Sequence, residues 1–277
     1  MEQRRKEVNS ALNRINMKNQ NWHCKLLATV LIATLVFGCS KNDKVSRVTP
    51  DTGNIFRDVE YARNKDWQGN SVTLAMDIYQ PPGLDAAKKY PLVIYFHGGG
   101  YNGGDRTTAV QKCTTLADSG FIAATIDYRL GWDSGGAADP CSGDTLTLIN
   151  AIYRGIQDAN AALRFLVANA DKFNIDPNWI FIGGSSAGAD VALTTTYMND
   201  AYVKQRFPAS SAALGSLYNA GNNLTNTYTI KGLYAISGSL LDSNLINANK
   251  AVPSIFFHGD QDNVAPIDAG HYLGCEN

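Results

Sequence analysis

Ile180-Phe181-Ile182-Gly183-Gly184-Ser185-Ser186-Ala187-Gly188 is the stretch on which the reading of this chain turns. Ile180–Ile182 is a short apolar run, as expected of a strand buried on both faces. A Gly-x-Ser-x-Gly run follows from Gly184 to Gly188, and the segment after Ala187 reads as a helix. In so tight a strand-to-helix turn a side chain at either flanking glycine would collide with a neighbouring element. The turn pushes the Ser186 hydroxyl out at the top of the sheet. The helix N-terminus behind it offers N–H groups and a positive dipole end to a developing anion. Ser186 is the candidate nucleophile, with a plain Gly/Ser turn as the alternative.

A second glycine-rich turn precedes it. His97-Gly98-Gly99-Gly100 follows the apolar run Leu92–Phe96, and Ser186 lies 89 residues beyond His97. Consecutive glycines leave the backbone bare, so N–H groups can approach a substrate oxygen. Gly99 and Gly100, with the N–H of Ala187, would form an oxyanion hole. Each such donor is worth roughly 3–4 kcal/mol in a transition state. A glycine-rich turn also suits phosphate, but no Gly-Lys-Ser/Thr follows it. His97 reads as a brace for the loop and not as the base.

Working outward, Val72–Tyr79 alternates like a half-buried strand and ends at Pro81-Pro82. Phe121–Ile126, Leu233–Ile236 and Ser254–Phe257 are further strands. Ile149–Ala170 has helical spacing, with Ile152, Ile156, Ala159, Leu163, Leu166 and Val167 in one stripe. Strands alternating with helices imply an α/β fold, a mostly parallel central sheet with helices on both faces. Between Met198 and Thr229 lies a stretch rich in Asn, Ser, Tyr and Ala. It reads either as an excursion lining a substrate site or as a surface connection. Tyr101, Trp132, Tyr197 and Tyr218 are candidate pocket walls, or simply packed.

The two glycine motifs, in this order, resemble those of the α/β-hydrolase fold, and most of all the HGGG-type carboxylesterases and lipases. Asp127-Tyr128-Arg129 and Asp158–Phe165 look like packing signatures of the same family. The resemblance runs from about Phe56 onward and implies a serine esterase. It implies an acid in the loop after a late strand, where His258-Gly259-Asp260-Gln261-Asp262-Asn263-Val264-Ala265-Pro266 matches the family pattern. Asp262 sits at the acid position, and Asp260 is its rival. The family's catalytic histidine usually comes a few tens of residues later, after one more helix and strand. Here only His271 follows, nine residues on. Pro266 would start the intervening helix, and that helix would carry His271 away from the catalytic edge. The expectation is therefore a C-terminally truncated domain lacking its last strand, last helix and catalytic histidine, and nearly inactive for that reason. A serine exopeptidase of the same fold is the enzymatic alternative, but such peptidases usually have an aromatic residue where Ala187 stands. A non-catalytic surface-binding lipoprotein is the other. The expected substrate is a small ester. The chemistry implies no metal or organic cofactor.

The remaining sequence bounds setting and partners. The 277 residues are 44% hydrophobic and 18% charged, with a net charge of -1. This is a globular composition, without the basic excess that nucleic-acid binding needs. Residues 1–38 carry six Lys/Arg against two Asp/Glu, followed within the segment by the apolar run Leu26–Phe37. Twelve residues are too few to span a bilayer, which takes about 20. This is a signal-peptide pattern, with Met17 as a possible true start. Val36-Phe37-Gly38-Cys39 resembles a bacterial lipobox, which implies an exported lipoprotein anchored in the membrane through lipidated Cys39. Residues 39–55 read as a tether and 56–277 as the catalytic domain. Export permits disulfides. A Cys113–Cys141 bridge is expected, with Cys275 left over. Oligomeric state is not legible.

Overall fold

The computed structural model describes residues 53–135, 140–268, 270 and 275. The residues of the expected leader, of the lipidation site Cys39 and of His271 lie outside these. Seven strands are found: β1 (Ile55–Lys65), β2 (Ser71–Tyr79), β3 (Tyr90–Phe96), β4 (Ile122–Ile126), β5 (Ile175–Ser185), β6 (Ile230–Ile236) and β7 (Ser254–Phe257). They form one sheet in the order β1-β2-β4-β3-β5-β6-β7. β1, β2 and β4 pair antiparallel, and every pairing from β4 across to β7 is parallel.

Strand sequence explains the layering. Side chains alternate between faces, so Leu92, Ile94 and Phe96 of β3 enter one core cluster with Ile122, Ala124 and Ile126 of β4. Tyr95 and Ala123 point the other way, into a smaller cluster with Tyr79 and with Cys113 and Ala117 of α1 (Val110–Asp118). The larger cluster is covered by α2 (Thr145–Ala168) and α3 (Ala187–Tyr197). A strand with helices over both faces is apolar throughout, as Leu92–Phe96 is.

Several expectations change. β1 was not foreseen as a strand: register shifts between Phe56 and Val59 and between Glu60 and Ala62 interrupt its pairing with β2, and such bulges hide the two-residue period that marks a strand. The helix expected over 149–170 begins earlier, at Thr145, where the Asp144 side chain caps it by accepting the Thr147 N–H at 2.7 Å. It is not a one-striped surface helix: every residue from Ala151 to Leu166 is buried. Much of its polar face is bonded from outside. Asp158 accepts Arg129 Nε, Gln157 donates to Leu214 O and Ser216 O, and Arg164 donates to Ala220 O.

The cover over Gln157 and Arg164 comes from the stretch 198–229. It contains α4 (Asp200–Arg206) and α5 (Pro208–Leu214), and its second half wraps the outer face of α2. The disulfide is Cys141–Cys275, and Cys113 is a buried free thiol. This corrects the expected Cys113–Cys141 pair: Cys113 belongs to the packed face of α1, where a bridge to the exposed Cys141 loop has no place. No helix starts at Pro266 among the described residues.

Candidate functional site

The C-terminal ends of the parallel strands carry the chemistry. β5 ends at Ser185, and Ser186 forms the N-cap of α3 with φ 52° and ψ −130°. Positive φ on a residue with a Cβ costs of order 1–3 kcal/mol and persists only where its surroundings enforce it. Here the Ser186 N–H donates to Ile236 O at 2.8 Å, and its carbonyl accepts the N–H groups of Ala189 and Asp190 at 2.8 and 3.1 Å. The flanking glycines are needed for the reason the sequence suggested. A Cβ on Gly184 would lie 2.4 Å from Gly188 C, and one on Gly188 would lie 2.1 Å from Phe96 O. Ser186 itself is exposed, above the buried Ala187.

The loop after β3 lies against this turn. A Cβ on Gly98 would stand 3.4 Å from Ser186 Cβ. Gly98, passed over in the sequence reading, is therefore a glycine of this loop that lies against Ser186. Gly99 and Gly100 have φ of 123° and 58°, and Gly99 O accepts the N–H groups of Asn102 and Gly103. The loop is thus folded back on itself, with Gly98 against Ser185 and Ser186. His97 is buried beneath it. Its ring stacks on Tyr128 at 4.3 Å, its Nδ1 lies 2.7 Å from Gly98 O, and the Tyr128 hydroxyl donates to His97 O at 2.7 Å. Burial pushes the His97 pKa below its ordinary value, opposed by the Gly98 carbonyl. A neutral, packed imidazole is a brace.

Asp262 lies five residues beyond β7, in the loop at the same end of the sheet. Its carboxylate accepts the N–H groups of Ala265 and Val264, each at 2.9 Å. These bonds hold its carboxyl below the usual carboxylate range, with smaller contributions from the Ser237 hydroxyl and from His258. His258 Nε2 stands 3.6 Å from Asp262 Oδ2 and 2.5 Å from Ala265 O. Asp260 is exposed. Two consecutive residues at the end of β6 tie the neighbouring strand ends: Ile236 O accepts the Ser186 N–H, and the Ser237 N–H donates to Phe257 O at the end of β7.

A cavity of about 250 Å³ lies beside the first half of α3, and neither Ser186 nor a glycine of the loop after β3 lines it. Leu148, Ile149, Ile152, Phe207 and Leu241 form its apolar walls, and Asp190, Thr194 and Ser239 its polar ones. Tyr202 and Arg206 of α4 also line it, so the first half of the 198–229 stretch forms part of this cavity's wall. None of Tyr101, Trp132, Tyr197 and Tyr218 lines it; Tyr101 and Tyr197 are core residues. Asp190, one helical turn after Ser186, also escaped the sequence reading. Among the described residues no group of His, Cys, Asp and Glu is arranged to hold a metal ion.

The sheet order, the turn at Ser186 and the glycine loop define the α/β-hydrolase fold. The carboxylesterase family model matches residues 38–232, and the chain belongs to that family. It is 33% identical over 162 residues to gut esterase 1 of Caenorhabditis elegans, covering 56% of this chain and 26% of that protein. It is 35% identical over 116 residues to carboxylesterase 3B of Mus musculus, covering 42% and 19%. The chain thus spans about a quarter of the length of the curated relatives it matches. Among solved structures, the propionate-bound esterase 2 of Thermogutta terrifontis superposes with a TM-score of 0.54 at 20% identity, covering 78% of this chain and 76% of that one. A likeness at that identity speaks to the fold alone.

Proposed function

We propose that this chain is the catalytic portion of a carboxylic-ester hydrolase acting through Ser186. The observation that carries this reading is the enforced positive φ of Ser186 at the head of α3, with Gly98 of the glycine loop beside it. In this reading the Ser186 oxygen attacks the ester carbonyl. The Ala187 N–H and those of Gly99 and Gly100 stabilise the oxyanion, the alcohol leaves, and water releases the acyl-enzyme. Asp262, held ionised by its backbone donors, orients and stabilises the imidazolium of the base. His97 is packed beneath the glycine loop, and the Nε2 of His258 beside Asp262 is taken up by Ala265 O. We place the base on chain that continues past β7. In support, Ile255, Phe256 and Phe257 are all more than half exposed at 60%, 55% and 57%, an apolar strand that further chain would cover.

The test pairs this sequence with the same chain carried to its natural stop codon, on p-nitrophenyl acetate. Turnover by the longer form alone, abolished by Ser186→Ala, is the expected result. Equal turnover by the short form, lost in His271→Ala, would put the base on His271 instead. No turnover by either form would move the exopeptidase reading ahead, to be tried on an aminoacyl anilide. We further propose export with a lipid on Cys39. Labelled palmitate should enter the wild type and not Cys39→Ala; equal labelling of both refutes it.

A further inference from the structure

We propose that Tyr128 is a positioning residue for ester hydrolysis at Ser186: its hydroxyl, acting through His97 O, holds the glycine loop in the conformation that receives the oxyanion. The inference rests on the ester-hydrolase reading and adds to it a residue that the sequence offered only as packing.

The need for such a residue comes from the glycines themselves. Consecutive glycines leave the backbone bare for a substrate oxygen. Glycine also populates positive and negative φ about equally and loses the most freedom on ordering. Gly99 and Gly100 stand at φ 123° and 58°, and they have no side chains to keep them there. An oxyanion site works because its donors are already in place. The order must therefore come from outside the glycines.

The chain leaving β4 supplies it. β3 and β4 are parallel neighbours, so the residues after Phe96 and after Ile126 leave the sheet at one end. Asp127 Oδ1 accepts the Arg106 N–H at 2.9 Å, just past the downstream end of the loop. Tyr101 O, next after Gly100, accepts the N–H groups of Gly131 and Trp132 at 2.8 and 3.2 Å. Tyr128 takes the upstream end. It donates to His97 O at 2.7 Å, and its ring stacks on the imidazole at 4.3 Å.

The bond from Tyr128 also meets the nucleophile turn. A Cβ on Gly188, two residues after Ser186, would stand 2.4 Å from His97 O. That carbonyl therefore sits at the seam between loop and turn. The His97–Gly98 peptide is trans and planar. Its carbonyl and the Gly98 N–H point in opposite directions, so fixing one fixes the other. Gly98 in turn lies against Ser185 and Ser186. Tyr128 is 3% exposed, and burial pushes its phenol well above the ordinary value. The hydroxyl keeps its proton through neutral pH, and a carbonyl can only accept it. Phenylalanine in its place would keep the ring and the stack and remove only this bond.

The experiment compares wild type, Tyr128→Phe and Tyr153→Phe in the full-length protein. Tyr153→Phe is the control, since it removes another buried hydroxyl's bond, to Gly215 O at 2.5 Å. Steady-state rates on p-nitrophenyl acetate are read beside hydrogen exchange in a peptide spanning residues 98–104. A shift of a few tenths of an ångström at reacting groups costs roughly tenfold. Tyr128→Phe should lower kcat by about that factor with KM within about twofold, and should speed exchange in the 98–104 peptide at least about threefold. Tyr153→Phe should stay within about twofold of wild type in kcat. The proposal is overturned if folded Tyr128→Phe keeps half or more of the wild-type kcat, if its loss falls on KM alone, or if Tyr153→Phe loses as much. If the wild type does not turn over acetate, the esterase reading fails and exchange alone decides the hold on the loop. Faster exchange in Tyr128→Phe then upholds it, and unchanged exchange refutes it. Should Tyr128→Phe not fold, p-fluorophenylalanine at position 128 fills the space of the hydroxyl without a donor and is read by the same limits.

Discussion

Replacing Gly188 by alanine tests whether the contact between nucleophile turn and glycine loop sets the reacting geometry. The added Cβ would lie 2.1 Å from Phe96 O and 2.4 Å from His97 O, both backbone atoms that cannot rotate away. Ordinary contact begins at 3.4 Å, so α3 and the end of β3 must part by about 1.3 Å. Overpacking of this kind costs about 1–3 kcal/mol, which a domain with roughly 5–15 kcal/mol of stability survives. Catalysis is less forgiving, because a 1 Å displacement of reacting groups costs on the order of 10²-fold. Two companions grade the effect. At Gly98 the new Cβ would meet Ser185 O at 3.0 Å and Ser186 Cβ at 3.4 Å, a strain of a few tenths of an ångström and a loss of roughly tenfold. At Gly103 the nearest atom would be Gly99 O at 3.9 Å, and activity should stay within about twofold. Initial rates on p-nitrophenyl acetate with the full-length protein, alongside circular dichroism and thermal midpoints, separate lost geometry from lost fold. A folded Gly188→Ala protein retaining a third or more of wild-type activity refutes the reasoning, as does a flat series.

Other expectations follow from buried groups. Asp158→Leu should destabilise the domain by about 3–5 kcal/mol, because it strands Arg129, which is 5% exposed and otherwise bonded to Asp158 through Nε and its own backbone N–H. Adding Arg129→Met should recover much of that loss in urea titrations, and a cost below 1 kcal/mol for Asp158→Leu alone would refute the account. The His97 pKa lies below the ordinary 6.5 because the ring is buried. The unfolded chain therefore takes up the proton first as pH falls. The stability that neutral His97 contributes is complete above about 6.5 and is lost as pH drops through 6.5 toward its folded value. His97→Gln should flatten that acid slope, and an unchanged slope argues against it. Burial pushes the Cys113 thiol up to about 12. In a chain starting at Ser40, Ellman's reagent should find no reactive thiol until denaturant is added; prompt native labelling would contradict this.

The site was legible where one local rule carried it, and illegible where distant segments had to meet. Gly184 and Gly188 announced the turn at Ser186 because a tight turn against two strands admits no Cβ, and that constraint is written in adjacent residues. β1 was missed because its bulges displace Val59 and Ala62 from a strict two-residue period. Asp190 was missed for another reason. A charge four residues into a helix reads as a solvent-facing residue, and only the return of the chain at Ser239 buries it. The packing expected of Asp158–Phe165 also rests on distant chain: residues 214–222 bond Gln157 and Arg164, and Arg129 bonds Asp158. Cysteine spacing fixes no connectivity, so Cys141–Cys275 needed the fold to bring two loops together.

Strand direction accounts for what converges. β3, β5, β6 and β7 run parallel, so the glycine loop, the Ser186 turn, Ser237 and the Asp262 loop all leave the sheet at one end. The antiparallel strands β1 and β2 contribute no site residue. Their carboxylates at Asp58 and Asp77 are drawn instead into contacts with Arg106, which Asp127 shares. Within the parallel set, β6 lies between the nucleophile strand and the acid strand, with neighbouring strands about 4.8 Å apart. It closes that gap with backbone and hydroxyl groups from consecutive residues, Ile236 toward Ser186 and Ser237 toward Asp262. Ser237 reaches this position with φ 49°, a second strained residue one position past the end of its strand, as Ser186 is past the end of β5. The separation of Ser186 from Asp262 thus follows from β6, the strand that lies between theirs.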